Sequence, residues 1–214
     1  MKMKKYFIAL TLAMLSVVAQ PAHAQSTFTL QEGWNLVSSD VIFSMNLQSL
    51  VENGGGMFLL NPKDKKYYGG SGNFQTANMS IEGAQSSLPH GDNVTALGWW
   101  VYTPKAMTTS PDFVIQSDRL DYYKGAYDLF KGWNFVAITS LMKGKSIGDV
   151  SGTCKFTSAY HFERGQWNKQ TDADLKEKFT DDSLGHAMAV KVENDCAFNF
   201  NKASQKQNIP VLPN

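Results

Sequence analysis

The feature that most constrains this chain is a repeated triplet. Leu30-Gln31-Glu32-Gly33-Trp34-Asn35-Leu36-Val37-Ser38 is echoed by Leu129-Phe130-Lys131-Gly132-Trp133-Asn134-Phe135-Val136-Ala137, and the two Gly-Trp-Asn triplets lie 99 residues apart. Tryptophan is scarce, so two such segments of matching character point to an internal duplication. Fainter parallels continue along each copy. Leu47 and Leu50 answer to Ile147 and Val150. An aromatic hairpin, Met57-Phe58-Leu59-Leu60 with a turn at Asn61–Asp64 and then Tyr67-Tyr68, answers to Ala159-Tyr160-His161-Phe162, Glu163-Arg164-Gly165 and Trp167. Each copy closes on Leu-Gly and a run of strand formers: Leu97-Gly98-Trp99-Trp100-Val101-Tyr102, and Leu184-Gly185-His186-Ala187-Met188-Ala189-Val190. That last pair is offset by 87 rather than 99, which sets His186 against Trp99.

Short strand-forming runs separated by Gly, Asn, Pro and Asp imply a mainly β chain. The expected architecture is two tandem, diverged β-sandwich or barrel-like modules with little helix. Glycine before each tryptophan permits a tight turn or bulge at the start of a strand. The asparagine can hydrogen-bond a neighbouring turn. The indoles of Trp34 and Trp133 are expected to fill the two small cores, and modules this small are expected to pack together.

The triplet segments resemble the "GWNLIS"-type segment that opens modules in many exported and cell-surface bacterial proteins. Gly98-Trp99-Trp100-Val101 is similar to the closing strand of those modules, whereas Gly185-His186-Ala187-Met188 departs from it. The resemblance touches about 15 positions across both copies. It implies a β-rich extracellular module and no particular activity.

Residues 1–24 read as a cleaved signal peptide. Lys2, Lys4 and Lys5 precede an apolar stretch from Phe7 to Ala19, and Ala22 and Ala24 occupy the small-residue positions of an A-x-A cleavage site. The stretch is shorter than the roughly 20 residues of a membrane-spanning helix. No integral membrane segment is expected after cleavage, and the mature chain should be periplasmic, extracellular or on the cell surface. Export takes the formal charge from +1 to −2 with the three lysines, which gives no reason to expect nucleic acid as a partner. Cys154 and Cys196, the two cysteines, are expected to form a disulfide in an oxidising compartment. The division expected is signal peptide 1–24, first module 25–110, second module 111–203 with the Cys154–Cys196 disulfide, and a polar tail 204–214.

Between the copies, Pro104 and Thr108-Thr109-Ser110-Pro111 suggest a linker, followed by a strand at Asp112–Ile115. The stretch from Gly69 to Asn93 is polar and rich in Gly and Ser and reads as a long loop. Asp172 to Phe179 is the best helix candidate, with acids first and lysines later; a short helical turn fits Leu47–Glu52.

No catalytic, metal or cofactor signature stands out. His90, His161 and His186 show no metal-site spacing. Ser87, His90 and Asp92 lie too close in sequence for a catalytic triad, and Gly54-Gly55-Gly56 lacks the Lys-Ser/Thr of a phosphate loop. The acids Asp172, Asp174, Asp181 and Asp182 read as a solvated face. Alternation puts Trp99 and Val101 on one strand face, Trp100 and Tyr102 on the other. Ligand-contacting candidates are therefore Trp99, Trp100, Tyr102, Tyr67 and Tyr68. The expected function is non-enzymatic: a structural or interaction protein with a protein partner or self-association, the alternative being a carbohydrate-binding protein that uses the aromatic strand and loop 69–93.

Overall fold

The structure, a computed structural model, describes residues 27–87, 97–111 and 126–199. The proposed leader, the Asp112–Ile115 strand and the 204–214 tail lie outside the described residues, as do His90 and Asp92. The described chain is mainly β. It contains β1 (Phe28–Leu30), β2 (Gly33–Val37), α1 (Ser39–Phe43), α2 (Leu47–Glu52), β3 (Gly56–Asn61), β4 (Lys66–Ser71), α3 (Phe74–Ser87), β5 (Trp99–Thr103) and β6 (Met107–Thr109). There follow β7 (Ala126–Leu129), β8 (Gly132–Ala137), α4 (Ile147–Val150), β9 (Phe156–Glu163), β10 (Gln166–Lys169), β11 (Ala187–Val192) and β12 (Cys196–Asn199).

Two four-stranded antiparallel sheets result, ordered β2-β5-β3-β4 and β8-β11-β9-β10, each accompanied by a two-stranded ribbon, β1-β6 and β7-β12. The two halves thus share one strand order, and the pairing registers match residue by residue. Gly33 faces Thr103 as Gly132 faces Val192, and Val37 faces Trp99 as Val136 faces Met188. The backbone therefore sets Trp99 against Met188. The Leu-Gly match, which set it against His186, is two residues out. His186 instead precedes β11 and bridges to Val37 in the other sheet.

The Gly-Trp-Asn triplets build the same turn twice. Gly33 and Gly132 hold φ of 96° and 90°, a region open to glycine at no steric cost. Asn35 accepts a hydrogen bond from Gln31 N–H (2.9 Å) and donates to the carbonyls of Gln31 (2.9 Å) and Gly33 (3.1 Å). Asn134 does the same with Phe130 N–H (2.9 Å), Phe130 O (2.8 Å) and Gly132 O (3.0 Å). Each side chain staples the ribbon strand to the first sheet strand. Asn134 is fully buried, so Asn134→Ala orphans a backbone donor and is expected to cost about 2–3 kcal/mol. The half-buried Asn35 is expected to cost less when replaced. Urea midpoints of the two variants check this, and equal, negligible shifts would remove the staple from the account.

One face of each sheet rests on a core that runs through both halves, from Leu30, Val41, Leu59, Trp99 and Val101 to Ile138, Val150, Val190 and Phe198. Alternation explains the closing strand: Trp99, Val101 and Thr103 are buried, Trp100 is half-buried and Tyr102 exposed. Cys154 and Cys196 form a disulfide that ties the segment after α4 to β12.

Three expectations change. The stretch from Gly69 onward is no loop: it completes β4 and then forms α3, the longest helix described. Asn73 caps it, accepting from Thr76 N–H at 2.9 Å. Its core stripe is one small or aliphatic residue per turn, Ala77, Ile81 and Ala84, all buried. Conversely, Asp172–Phe179 yields only a short 3-10 turn at Asp174–Lys176. Phe179 is claimed by backbone bonds to Lys145 O and from Gly144 N, which hold that segment extended. The expected linker is partly sheet, since β6 pairs with β1 through Phe28–Thr109 and Leu30–Met107. The helical turn expected at Leu47–Glu52 is α2.

Candidate functional site: a pair of aromatic grooves

The second faces of the two sheets meet at a seam. Edge strands β2 and β8 reach across it: Ser38 N–H donates to Gly185 O (2.8 Å), Gly98 N–H to Phe135 O (2.9 Å), and bridges join Val37 to His186 and Leu97 to Val136. Close approach requires glycine at position 98. A Cβ there would stand 2.7 Å from the Ala187 Cβ and 3.0 Å from that of Phe135.

A second apolar cluster fills the seam, with Leu36, Leu60, Phe135, Ala187 and Ala189 buried and Trp100, Tyr160 and Phe162 packed on them. Trp100 is its pivot. It meets Phe162 (4.7 Å), Trp167 (5.6 Å) and Phe135 (5.9 Å) edge-on, a favourable aromatic geometry.

On either side of this plug lies a groove. Strand registers show that the two are built from equivalent parts. The first, of about 690 Å³, has Gly132, Trp133 and Phe135 of β8 on one side and Leu60, Lys65 and Tyr67 of the β3–β4 hairpin on the other. Tyr160, Trp167 and Ala189 close it. The second, of about 580 Å³, places Gly33, Trp34 and Leu36 of β2 against Phe162 and Gly165 of the β9–β10 hairpin. Each groove thus combines the Gly-Trp strand of one half with the hairpin of the other, and neither half alone contains one.

Their chemistry differs. Lys65 carries the one charge among the described residues lining the first groove. Its Nζ donates to Trp133 O at 3.2 Å, and burial holds its pKa below the ordinary lysine value, with Asp195 opposing. Lys191 Nζ stands 5.8 Å from the centre of the Trp133 ring. The second groove is polar, its lining including Gln31, Glu32, Glu163, Arg164 and His186.

Of the candidates, Tyr67 lines the first groove and is 56% exposed, while Trp100 sits in the seam beneath it. Tyr102 is exposed beside Trp34, ring centres 5.3 Å apart. Trp99 is only 3% exposed and belongs to the core, so it cannot touch a ligand. Tyr68 is on the opposite face of β4, where its hydroxyl donates to Asp64. The largest correction concerns Trp34 and Trp133. Both were expected in the cores, yet they are 47% and 39% exposed and line the grooves. The cause is alternation. Each neighbouring asparagine turns to the ribbon, so the tryptophan before it must face the seam. That signal is present in the triplet, but indole size outweighed it. Trp167 and Lys65 had no site signal beyond their place in the hairpins.

Two histidines lie at the same junction. His161 pairs with Met188 in β11, and the His186 ring packs 4.9 Å from that of Phe28. Burial holds both imidazoles below the ordinary value of 6.5; His186 adds to the effect on His161, while Glu163 opposes on both and Asp174 on His161. The fold therefore favours the neutral rings, and the unfolded chain takes up more protons once pH falls below about 6.5. Their contribution to stability is expected to be complete above that pH and to diminish as pH falls towards the lowered folded values. Urea midpoints from pH 7.5 to 5 check this. His161→Gln combined with His186→Gln should flatten the dependence, and an unchanged slope would exclude these histidines as its source.

Among the described residues no cluster of three or more His, Cys, Asp or Glu is placed to hold a metal ion, and no helix is long and apolar enough to cross a membrane. No protein-family model, no curated protein and no solved structure matches the chain.

Proposed function

We propose that this chain is an exported, non-enzymatic interaction protein, built from a duplicated β module, that binds a protein partner through the first aromatic groove. The observation that carries the reading is the gathering of half-exposed rings at one seam. Trp34, Tyr67, Tyr102, Trp133 and Trp167 are each at least 36% exposed; four of them line the two grooves, and Tyr102 packs on one of these four, Trp34. Rings left in water beside a packed apolar floor are characteristic of binding surfaces. Export is supported by the leader-like first 24 residues together with the disulfide. The twice-built asparagine staple and matched strand orders support the duplication.

The second groove favours a second reading, glycan binding. There the exposed Trp34 indole sits among Gln31, Glu32 and Arg164, a flat ring beside polar side chains.

The test is retention of the mature protein on immobilised cell-envelope proteins and, separately, on polysaccharides including peptidoglycan. Trp133→Ala/Trp167→Ala should lose the protein-dependent retention, whereas Met79→Ala, exposed outside both grooves, should keep it. Retention confined to polysaccharide and lost in Trp34→Ala would install the glycan reading. Equal retention of all variants would remove the grooves as the binding surface.

A further inference from the structure

The first groove has a chemistry that its sister lacks. Its floor is apolar and buried, with Leu60 and Phe135 each 7% exposed. Its walls are the flat rings of Tyr67, Trp133 and Trp167. The volume of about 690 Å³ is in the range of small-molecule sites, which join apolar walls to a few orienting polar groups. The orienting group here is Lys65. Its Nζ gives one N–H to Trp133 O, which leaves two of an ammonium's three donors uncommitted by that bond. No carboxylate lines the groove to neutralise it among the described residues, and Asp195, the acid that acts on Lys65 from outside, accepts the Lys131 N–H. Lys191 adds a second positive charge over the Trp133 ring. In the sister groove the position equivalent to Lys65 is Gly165, with Glu163 and Arg164 beside it, so positive charge there is balanced.

We propose that the first groove is a binding site for a flat, apolar anion, an aromatic carboxylate or sulfonate whose rings lie among Trp133, Trp167 and Tyr67 and whose acidic end meets Lys65 Nζ. The inference rests on this groove being the binding surface, and it names the chemistry that the surface selects. A sugar is disfavoured here, because its hydroxyls need acceptors as well as donors, and apart from two tyrosine hydroxyls the polar side-chain groups of the lining, the Lys65 ammonium and two indole N–H groups, only donate. Partial burial makes the lone ammonium costly, and a bound anion offsets that cost.

Two dyes of similar ring shape test the proposal with the whole mature protein: anionic 8-anilinonaphthalene-1-sulfonate and neutral N-phenyl-1-naphthylamine. The sulfonate should bind saturably at one site. Lys65→Gln should weaken it about three- to tenfold and leave the neutral dye unchanged, as loss of one charge-assisted contact would. Trp167→Ala, on an exposed edge strand, should weaken both dyes at least about tenfold while the protein still unfolds in one cooperative step, its urea midpoint lowered only by the lost ring contacts to Trp100, Tyr160 and Phe162. Arg164→Gln in the sister groove should alter neither. Absence of saturable sulfonate binding, equal loss of both dyes in Lys65→Gln, or indifference to Trp167→Ala would each overturn it. Failure here alongside groove-dependent retention on envelope proteins would sink the anion site alone and leave the interaction reading standing.

Discussion

Trp99→Ala is expected to destabilise the protein by about 3–5 kcal/mol, whereas Trp34→Ala, on the neighbouring strand of the same sheet, should cost under about 1 kcal/mol. The two indoles differ in what surrounds them. Trp99 is 3% exposed and lies in the continuous core among residues such as Val37, Leu59 and Val101, two of them its direct partners across β2 and β3. Deleting it leaves a cavity that a close-packed interior cannot collapse to fill. Trp34 is 47% exposed and meets Phe58, Trp100 and Tyr102 along one side only. Urea unfolding of both variants beside wild type measures the contrast. A costly Trp34→Ala with a benign Trp99→Ala would reverse the assignment of core and groove on which the functional reading depends.

Removing the disulfide should be the second large effect. Cys154 and Cys196 are 42 residues apart in sequence, and closing that loop is worth ~3–4 kcal/mol in the chain-entropy description. Local structure argues for the same sensitivity. The bridge stands beside a two-way clasp in which Thr153 N–H donates to Ala197 O and Ala197 N–H to Thr153 Oγ1, both at 2.9 Å. It also pins β12, whose Phe198 is fully buried. A Cys154→Ala/Cys196→Ala variant should therefore melt well below wild type, and thiol reductant should lower wild type to the same point while leaving the variant unmoved. A reductant effect of equal size on the variant would mean that the loss has another origin.

How far the sequence leads differs from element to element, for physical reasons. The paired asparagine staples were legible, because an Asn two residues past a turn glycine has few backbone groups within reach other than those of the turn. The disulfide was legible by arithmetic. The orientation of Trp34 and Trp133 was misjudged because bulk suggests burial, although period-two alternation places them opposite the stapled asparagines. The register of β11 was misjudged because Leu184-Gly185 looks like Leu97-Gly98, while cross-strand pairing, set by Gly132 facing Val192, depends on neighbours absent from any local motif. Helix α3 escaped notice because Ala77, Ile81 and Ala84 form too thin a stripe to outweigh its Ser, Gln and Asn. The grooves themselves arise only when one half's hairpin meets the other half's Gly-Trp strand, residues about 70 positions apart such as Lys65 and Trp133.

The most direct test of the central claim, that the seam grooves are the binding surface, is oxidative footprinting of the side chains with and without the cell-envelope protein fraction. Without the fraction, Trp34, Trp133 and Trp167 should oxidise readily and Trp99 hardly at all, in line with their exposure. With it, the account predicts protection of Trp133 and Trp167 while Met79, which is 64% exposed away from the grooves, reacts as before. Binding that leaves Trp133 and Trp167 as reactive as in the free protein would contradict the account and move the interaction surface elsewhere.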